Sequence, residues 1–408
     1  MSKQPLHSGH QIWLLNGGKA YFPSLVEAID ASQWEVRLET YIFEFSASGE
    51  RVAQALERAA LRGVVVYVVM DGIGTPVVPT RWEQRWNQSG VQWRQFSPLG
   101  RLGLLIPGRW RRMHRKLCVV DGLVAFCGGI NILDDYRDPN YGNLESPRFD
   151  FAVRVTGPLV ADVHAATVQF WARLQATRQL RELHFQQAAH TLAAALQASA
   201  RSESGFVDSA LSAGAHAAVR AALVLRDNLR NRTRIERTYR KAIADARHDV
   251  LIANAYFLPG AKLRKALVAA ARRGVRVQLL LQGRYEYFMQ YHAARPLYGA
   301  LLAAGVEIHE YQRGFLHAKV AVVDGHWATV GSSNLDPLSL QLAREANVVV
   351  ENVPFARELQ QCLSTAILQH AQPVQSTLYA NRPLGQRFLD QLAYGLMRFL
   401  LFVMGRRY

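Results

Sequence analysis

The sequence predicts an α/β protein made of two similar halves, each a mixed β-sheet flanked by helices, related to each other by pseudo-twofold symmetry. One stretch of nineteen residues occurs twice, and the same strand–helix–strand pattern precedes both copies. The chain has 408 residues, of which 50% are hydrophobic, so it can bury a large core. Together these observations indicate a duplicated fold.

The duplicated stretch reads MHRKLCVVDGLVAFCGGIN from Met113 to Asn131 and LHAKVAVVDGHWATVGSSN from Leu316 to Asn334. In both copies a histidine is followed by Lys two residues on, Asp at seven, Gly at fourteen and Asn at seventeen. The matched residues are His114, Lys116, Asp121, Gly128 and Asn131 in the first copy, and His317, Lys319, Asp324, Gly331 and Asn334 in the second. A single His-x-Lys arises by chance, whereas five matched positions indicate a duplication.

A common lead-in precedes each copy. In both halves a β-branched, apolar run predicts a strand, helical spacing follows, a glycine ends the helix, and a second apolar run predicts a buried strand. The first half has these elements at Val36–Phe45, Arg51–Leu61, Gly63 and Val64–Met70, and the second half at Val250–Phe257, Ala261–Arg272, Gly274 and Val275–Leu281. The duplication therefore extends beyond the motif.

Each motif predicts a β-hairpin, because Asp-Gly between two apolar runs provides the positive φ angles of a tight turn. Residues two apart on a strand share a face, so His114 and Lys116 are expected to point the same way. The glycine-rich end of the returning strand lets backbone and an Asn side chain approach a ligand closely. Two repeats facing each other would combine two imidazoles, two ammonium groups and two amides.

Such a set of groups suits phosphoryl transfer. The two lysines, Asn131, Asn334 and the neighbouring Ser332 would hold phosphate oxygens. One histidine can attack phosphorus and form a phosphohistidine, while the other protonates the leaving alkoxide and deprotonates the incoming alcohol or water. This division of labour requires neither a metal nor a cofactor, and the sequence has no zinc-type spacing of Cys or His.

The paired H-x-K-x4-D-x6-G-x2-N motifs resemble those of the phospholipase D superfamily, and the surrounding chain is most similar to its subgroup of bacterial cardiolipin synthases of the short B type. This similarity extends to four segments outside the motifs, which read NGGKAYFPSLVEAI, DFAVRVTGP, RDNLRNRTRIERTYRKAI and NAYFLPG. The resemblance implies two phospholipase D-like sandwich halves and a phosphatidyl-histidine intermediate. It places His114, Lys116, Asp121, Asn131 and His317, Lys319, Asp324, Asn334 in the active site, although the position of the aspartates at hairpin turns favours a structural role.

The superfamily also places an acidic residue after each motif to orient its histidine. Glu345, twenty-eight residues after His317, fits this position in the second half. In the first half the best candidate is Asp150, thirty-six residues after His114. The longer spacing predicts an inserted loop.

The composition indicates which binding partners and which cellular compartment to expect. The formal net charge is +16, from 48 Lys and Arg against 32 Asp and Glu, which favours an anionic membrane surface or nucleic acid. Of the three cysteines, Cys118 and Cys127 lie on the two arms of the first hairpin and are expected to be core thiols in a reducing compartment. No secretion signal or transmembrane helix is expected from the apolar pattern.

Four further segments have two interpretations each. Phe96–Arg112 mixes arginines with Leu102, Leu104, Leu105, Ile106 and Trp110, and predicts either an interfacial loop or a buried connector. The basic helix Arg226–Asp245 is more typical of a solvated face than of a site. The tyrosines between Gly283 and Gly299 predict either a rim that contacts acyl chains or part of the ordinary core.

The C-terminal segment Leu384–Tyr408 has an apolar helical face, which favours a membrane interface over docking on the protein itself. The residues on this face are Phe388, Leu392, Leu396, Phe399, Leu400 and Val403.

We therefore expect an N-terminal half at 1–180, a helical linker at 181–222, a C-terminal half at 223–375 and an amphipathic, membrane-associated tail at 376–408. The expected reaction joins two phosphatidylglycerol molecules to give cardiolipin and glycerol, at the cytoplasmic face of a bacterial inner membrane, by a peripheral protein that needs no nucleic acid. The alternatives are a phosphodiesterase that acts on nucleic acid or hydrolyses phospholipid, and a non-catalytic membrane-binding protein, which two complete motifs disfavour. The acceptor alcohol, the nucleophilic histidine and the oligomeric state stay open.

Overall fold

The computed structural model describes residues 6–98, 100, 107–138, 140–210, 219–227, 231–284, 288–336 and 342–403. The chain divides into two compact units. The first contains Met1–Asp134, Ala152–Val224 and Val348–Val350, and the second contains Asp135–Phe151, Leu225–Asn347 and Glu351–Tyr408. Residues 135–151 therefore cluster with the second unit although they follow the first motif in sequence.

Strands and helices are interspersed along the chain up to residue 226. They are β1 His7–Asn16, α1 Gly17–Asp30, β2 Glu35–Thr40, α2 Ala47–Leu61, β3 Val65–Asp71, α3 Thr80–Ser89, β4 Gln92–Phe96, a 3₁₀ turn at Pro107–Trp110, β5 Arg112–Met113, β6 Lys116–Val120, β7 Val124–Gly128, β8 Arg137–Asp138, β9 Gly142–Asn143, β10 Phe151–Thr156, α4 Leu159–Arg181, α5 Phe185–Ala210 and β11 Val219–Arg226.

The remaining elements repeat much of this order. They are α6 Arg234–Asp245, β12 Asp249–Asn254, α7 Ala261–Arg272, β13 Arg276–Gln282, α8 Phe288–Leu302, β14 Glu307–Tyr311, β15 Lys319–Val323, β16 Trp327–Gly331, β17 Ala343–Glu351, α9 Val353–His370, β18 Ala371–Pro373, α10 Ser376–Ala380 and α11 Leu384–Val403.

The sheet of the first unit has the strand order β11-β1-β10-β7-β6-β2-β3-β4. Strand β2 is parallel to β3 and β3 to β4, whereas β2, β6, β7 and β10 pair antiparallel in succession. Because β6 runs antiparallel to β2, the start of β6 lies at the carboxyl end of β2. The residues before β6, including His114, therefore lie at the edge where the parallel strands end.

The sheet of the second unit repeats this arrangement, with the order β18-β14-β13-β12-β15-β16-β17. Strands β12, β13 and β14 are parallel, and β15 runs antiparallel to β12 with Asn254 opposite Lys319. The second motif thus lies at the carboxyl edge of its own parallel strands. Each half of the sequence folds in the way that the duplication predicts.

The helices between the parallel strands form as their apolar spacing predicts. In α2, Val52, Ala53, Leu56 and Ala59 are buried at intervals of one helical turn. In α7, Leu263, Leu267 and Ala270 are buried in the same way. The glycines that follow, Gly63 and Gly274, have φ angles of +91° and +89°, a conformation that residues with a side chain rarely adopt. Both predicted helix ends are confirmed.

The first strand of each lead-in is shorter than predicted. Val36–Phe45 was expected to be strand, but β2 ends at Thr40, and in the second half β12 ends at Asn254 rather than Phe257. The apolar residues beyond each strand leave the sheet and pair with the residues after the motif, since Glu44 N donates to Ile132 O and Leu258 N donates to Leu335 O at 2.8 and 2.9 Å. Local periodicity does not show this change of partner.

Several expected segments differ in detail. A strand, β11, begins at Val219, inside the expected linker, and the basic helix begins at Arg234 rather than Arg226. In the apolar-basic loop, Arg101, Leu102, Leu104, Leu105 and Ile106 lie outside the described residues, as do Tyr285 and Tyr287 in the tyrosine-rich segment. Tyr298 of that segment is 4% exposed and belongs to the core.

The C-terminal helix α11 packs on α8 and also exposes an apolar stripe. Ala393 and Met397 are buried against Leu258, Ala293 and Leu297. On the outer side are side chains that are 47–79% exposed: Leu384, Phe388, Leu392, Leu396 and Phe399. Docking on the protein is therefore confirmed for one face of the helix, and membrane contact by the exposed face stays a prediction; the side chains of Leu400 and Val403 lie outside the described part of the chain. Within the described part of the chain, none of the helices has the length and apolar character needed to span a bilayer.

Candidate active site

The first motif places its histidine and lysine as the strand pattern predicts. Lys116 is the first residue of β6 and is buried, with its Nζ donating to the carbonyl of His114 at 2.7 Å. The His114 ring is half-buried and meets Tyr41 edge-on, with ring centroids 4.9 Å apart. The ammonium of Lys116 also lies 5.5 Å from the centroid of Tyr41. A histidine and a lysine are thus held together on one side of a rigid strand.

The second motif repeats this contact. Lys319 is fully buried at the start of β15, and its Nζ donates to the carbonyl of His317. The two lysines therefore contact the backbone of their own histidines in the same way. Each lysine therefore brings a buried positive charge to its motif.

The His317 ring is bonded to a carboxylate. Its Nδ1 lies 2.6 Å from Oδ2 of Asp150, whose side chain is 4% exposed. Backbone bonds align the two segments, because Phe149 N donates to Phe315 O and His317 N donates to Phe149 O, both at 2.9 Å. The Oδ1 atom of Asp150 accepts from Phe151 N at 2.8 Å, which fixes the carboxylate plane. The carboxylate holds the proton on Nδ1 and leaves Nε2 as the nitrogen that can exchange a proton with substrate.

This contact corrects one sequence prediction. Asp150 follows the first motif and was assigned to orient its histidine, but the structure pairs it with His317 of the second motif. Glu345, expected to orient His317, is fully buried in β17 and accepts a hydrogen bond from Ser332 Oγ at 2.5 Å. For Asp150, sequence proximity to a motif therefore identified a residue that binds a catalytic histidine but not which histidine it binds, whereas the role of Glu345 stays a prediction.

The glycine-rich end of the second hairpin is packed closely. A Cβ atom on Gly331 would lie 2.3 Å from the side chain of Asn347, so only glycine fits there. Ser332 N donates to Ala346 O at 3.0 Å, and Ala346 N donates to Ser332 Oγ at 3.1 Å. These contacts fix Ser332 beside Glu345.

The two motif asparagines are buried. Oδ1 of Asn131 accepts from Ile42 N at 3.2 Å, which turns its amide N–H₂ group away from that backbone. Asn334 is 2% exposed, and its Oδ1 has no hydrogen-bond partner among the residues that the structure describes. A buried polar atom of this kind costs about 1–3 kcal/mol unless water or a ligand meets it.

The motif aspartates stabilise the hairpins. Asp121 and Asp324 have φ angles of +53° and +49°, and each is followed by a glycine with positive φ. The Asp121 carboxylate accepts from the backbone N–H groups of Gln33, Trp34 and Glu35 at 2.7–2.8 Å.

Asp324 repeats this pattern with Arg247, His248 and Asp249 at 2.8–2.9 Å. Burial raises the pKa of Asp324, but the three backbone donors outweigh it and hold the pKa below its usual value. Roughly 16 Å of extended strand separates each aspartate from its lysine, which supports the structural interpretation over a catalytic one.

Sequence reasoning missed two residues that hold the histidine strands. Asp71, the last residue of β3, accepts from Met113 N at 2.7 Å, and Gln282, the last residue of β13, accepts from Leu316 N at 3.3 Å. The signal was present, since a polar residue followed by glycine ends both apolar strands. Burial raises the pKa of Asp71, and the neighbouring Arg112 guanidinium at 3.1 Å opposes that rise.

Comparison with known proteins agrees with this geometry. A family model described as cardiolipin synthase, PLD-like domain, matches residues 25–145 and 239–366, and each matched segment contains one motif. The chain belongs to this family. Cardiolipin synthase B of Salmonella typhi is 37% identical over 390 residues, which are 96% of this chain and 88% of that protein. Cardiolipin synthase B of Escherichia coli K12 is 36% identical over the same shares.

Solved structures support the fold alone. Phosphatidylserine synthase of Haemophilus influenzae superposes with a TM-score of 0.67 at 11% identity, covering 98% of this chain and 96% of that one. Polyphosphate kinase of Porphyromonas gingivalis superposes with a TM-score of 0.56 at 14% identity, covering 98% and 57%. The predicted α/β class and the predicted phospholipase D relationship are confirmed, and the protein is a phosphatidyltransferase of the phospholipase D type.

Proposed function

We propose that this cardiolipin synthase uses phosphatidylglycerol as both phosphatidyl donor and acceptor. The observation that carries the mechanism is the Asp150–His317 pair, because a carboxylate on Nδ1 is what a histidine needs to act as acid and then as base. His114 has a lysine beside it and a half-buried ring, which suits a nucleophile.

In the first step a ring nitrogen of His114 attacks phosphorus, and the bond between phosphorus and the glycerol oxygen breaks. His317 gives its Nε2 proton to the departing oxygen, so glycerol leaves neutral. In the second step the hydroxyl of another phosphatidylglycerol attacks phosphorus, the bond between phosphorus and nitrogen breaks, and His317 takes the hydroxyl proton. The products are cardiolipin and the starting enzyme. The ammonium groups of Lys116 and Lys319 and the amides of Asn131 and Asn334 would stabilise the charge on the phosphate oxygens.

The substrates are membrane lipids, and the apolar stripe of α11 provides a means of reaching them. One face of α11 is apolar and exposed, and a contiguous apolar patch of this size usually marks an interaction site. Its residues are Leu384, Phe388, Leu392, Leu396 and Phe399. With the net charge of +16, it favours peripheral binding to an anionic bilayer. We place the protein on the cytoplasmic face of the inner membrane, a reducing environment that suits the buried thiols of Cys118 and Cys127.

The membrane assignment is tested by vesicle sedimentation with phosphatidylglycerol-containing vesicles. Replacing Leu392 and Leu396 with Ser should weaken binding at least about 100-fold, because each exposed leucine that enters the acyl region contributes roughly 1.5–3 kcal/mol. Replacing the buried Ala393 with Ser is a control for helix integrity. Unchanged vesicle binding by the double variant would contradict the proposal.

The reaction is tested by incubating purified protein with phosphatidylglycerol vesicles and identifying lipids by mass spectrometry. Cardiolipin with released glycerol is expected, and a His317→Ala protein should form neither at a comparable rate. Phosphatidic acid as the sole product would indicate a hydrolase. If no lipid reacts and the protein instead cleaves DNA, with binding that weakens steeply as salt rises, the basic charge serves nucleic acid.

The nucleophile is tested by trapping. With lipid radiolabelled at phosphorus and a denaturing quench at alkaline pH, which preserves the bond between phosphorus and the histidine nitrogen, wild-type protein and His317→Ala should retain label, whereas His114→Ala should not. Label that persists without His114 would reverse the roles of the two histidines.

A further inference from the structure

A cleft in the second unit lies beside the strand that carries His317. It is open to solvent, with a cavity volume of about 30 Å³, and is lined by residues from the carboxyl ends of β12, β13 and β14 and by one face of α8. Two lining residues contact the backbone on either side of the histidine. Gln282 Oε1 accepts from Leu316 N at 3.3 Å, and Ala255 N donates to Ala318 O at 3.0 Å. The cleft and the histidine therefore share one sheet edge.

The polar groups in the cleft are balanced in charge. Arg295 donates to Glu310 at 3.1 Å and to the hydroxyl of Tyr291 at 2.6 Å, and both charged side chains are less than one-fifth exposed. Because the guanidinium and carboxylate neutralise each other, the cleft favours an uncharged ligand over an ammonium or a phosphate group. Arg284 at the rim is exposed, so solvent screens its charge.

Two donors in the cleft have no acceptor. Gln282 Nε2 and Arg295 Nε are buried and lack a hydrogen-bond partner among the described residues. Glu310 provides a carboxylate that can accept from a hydroxyl, and the ring of Tyr256 adds an apolar wall. Hydroxyl groups both donate and accept, so a small polyol would satisfy these donors and the carboxylate together.

We propose that this cleft binds the glycerol group of phosphatidylglycerol, first as the leaving group and then as the headgroup of the acceptor lipid. The inference rests on the proposed phosphatidyl transfer. Leaving group and acceptor occupy the same position because the second step reverses the first with a new alcohol. In both steps the proton moves between the glycerol oxygen and His317, and the residues that line the cleft contact the backbone on either side of this histidine. Gln282, Tyr291, Arg295 and Glu310 select glycerol over other alcohols.

The test is a competition between two acceptors for one intermediate. Purified full-length protein is given phosphatidylglycerol vesicles in water that contains equal amounts of deuterated glycerol and ethanol. Mass spectrometry then measures the ratio of deuterated phosphatidylglycerol to phosphatidylethanol. Both products come from the same phosphatidyl-histidine, so the ratio does not depend on how much enzyme is folded or on donor affinity. Ethanol lacks the second and third hydroxyl groups that the cleft would recognise.

Two conservative variants remove single contacts. Gln282→Glu keeps the oxygen that binds Leu316 N but loses the amide donor, and Tyr291→Phe loses one hydroxyl. Each should lower the product ratio about tenfold, the usual loss for one hydrogen bond in a buried site, while phosphatidylethanol still forms. Tyr67→Phe is a matched control, because Tyr67 packs on Trp171 in the first unit and should leave the ratio unchanged.

An unchanged ratio in both variants would overturn the cleft assignment while leaving the proposed transfer intact. Wild-type protein that forms neither cardiolipin nor either alcohol product would overturn the proposed function, and this inference with it; cardiolipin without deuterated phosphatidylglycerol would overturn the cleft assignment alone.

Discussion

Replacing Asp150 with Asn should lower the rate of phosphatidyl transfer about 1,000-fold. When His317 carries a proton, its positive charge lies about 4 Å from the Asp150 carboxylate. At an effective dielectric constant of about 20 this attraction is about 4 kcal/mol, and in bulk water it would be about 1 kcal/mol. The side chains are 16% and 4% exposed, so the larger figure applies. A loss of about 4 kcal/mol from the transition state corresponds to about 10³ in rate.

The assay separates the two steps by changing the leaving group. A phosphatidyl donor whose leaving group is p-nitrophenol needs no general acid, because the phenolate is already a weak base. The burst of p-nitrophenol from Asp150→Asn should therefore stay within about tenfold of wild type, whereas release of glycerol from phosphatidylglycerol should fall by the full amount. Asp150→Glu, which restores a carboxylate, should recover part of the loss.

Asp138→Asn is the control for folding of the same segment. The carboxylate of Asp138 accepts hydrogen bonds from the Arg148 guanidinium at 2.8 Å and from Asn140 N. Within the described part of the chain no hydrogen bond joins it to His317. It should leave glycerol release within about tenfold of wild type. If Asp150→Asn slows both leaving groups equally, or slows neither, then the carboxylate does not act through proton transfer by His317 and the reasoning is refuted.

Three further outcomes follow from individual contacts. Burial lowers the pKa of His10 from 6.5 to about 4, so stability should fall by up to about 3 kcal/mol as pH drops from 6.5 to 4; urea unfolding of His10→Asn should lack that component. Asp121→Ala and Asp324→Ala should each cost about 1–3 kcal/mol in urea unfolding but leave transfer within about tenfold, and a 1,000-fold loss in a folded variant would restore them as catalytic residues. Lys319→Met should keep the fold by circular dichroism and lose at least about 100-fold in transfer; near-normal transfer would exclude the lysine from phosphate stabilisation.

The hairpins and their lead-ins were predictable from sequence because they depend on local rules. Alternation places His114 and Lys116 on one face, Asp-Gly sets the turn, and Gly63 ends a helix whose apolar residues repeat every turn. None of these features requires knowledge of distant residues. The duplication made the prediction stronger, since both copies had to satisfy the same rules.

The partner of His317 was not predictable in the same way. Asp150 is 167 residues away in sequence, and its contact depends on residues 135–151 joining the second unit. No periodicity or spacing reports such an exchange. A repeat therefore identifies which residue types the site needs, whereas only the three-dimensional structure shows which copy supplies each one.

The C-terminal helix α11 has a second feature that sequence periodicity does not predict, which is a buried acidic residue. On a helical wheel Asp390 counts as polar and suggests an exposed position, yet it is 1% exposed and bonds to His292 and Arg382 at 2.7 and 2.6 Å. The side of α11 that faces the protein is held partly by charge, which leaves the more apolar side outward. A prediction from hydrophobicity alone would have placed the more apolar side of α11 against the protein.

The two halves differ in the residue that accepts a hydrogen bond from the backbone N–H just before each motif histidine, which is Asp71 in the first half and Gln282 in the second. We interpret this difference as a division of roles between the two halves. Asp71 is a carboxylate bonded to Arg112 and to backbone N–H groups, so its hydrogen-bonding capacity is committed to the protein. Gln282 makes the same backbone contact with its oxygen but keeps a buried N–H₂ group with no partner among the described residues. Such an amide can support the strand with its oxygen and donate to a hydroxyl with its N–H₂ group. We therefore infer that the second half, with its proton-transferring histidine, is the half that chooses the alcohol, and that the first half holds the phosphatidyl group that both alcohols share.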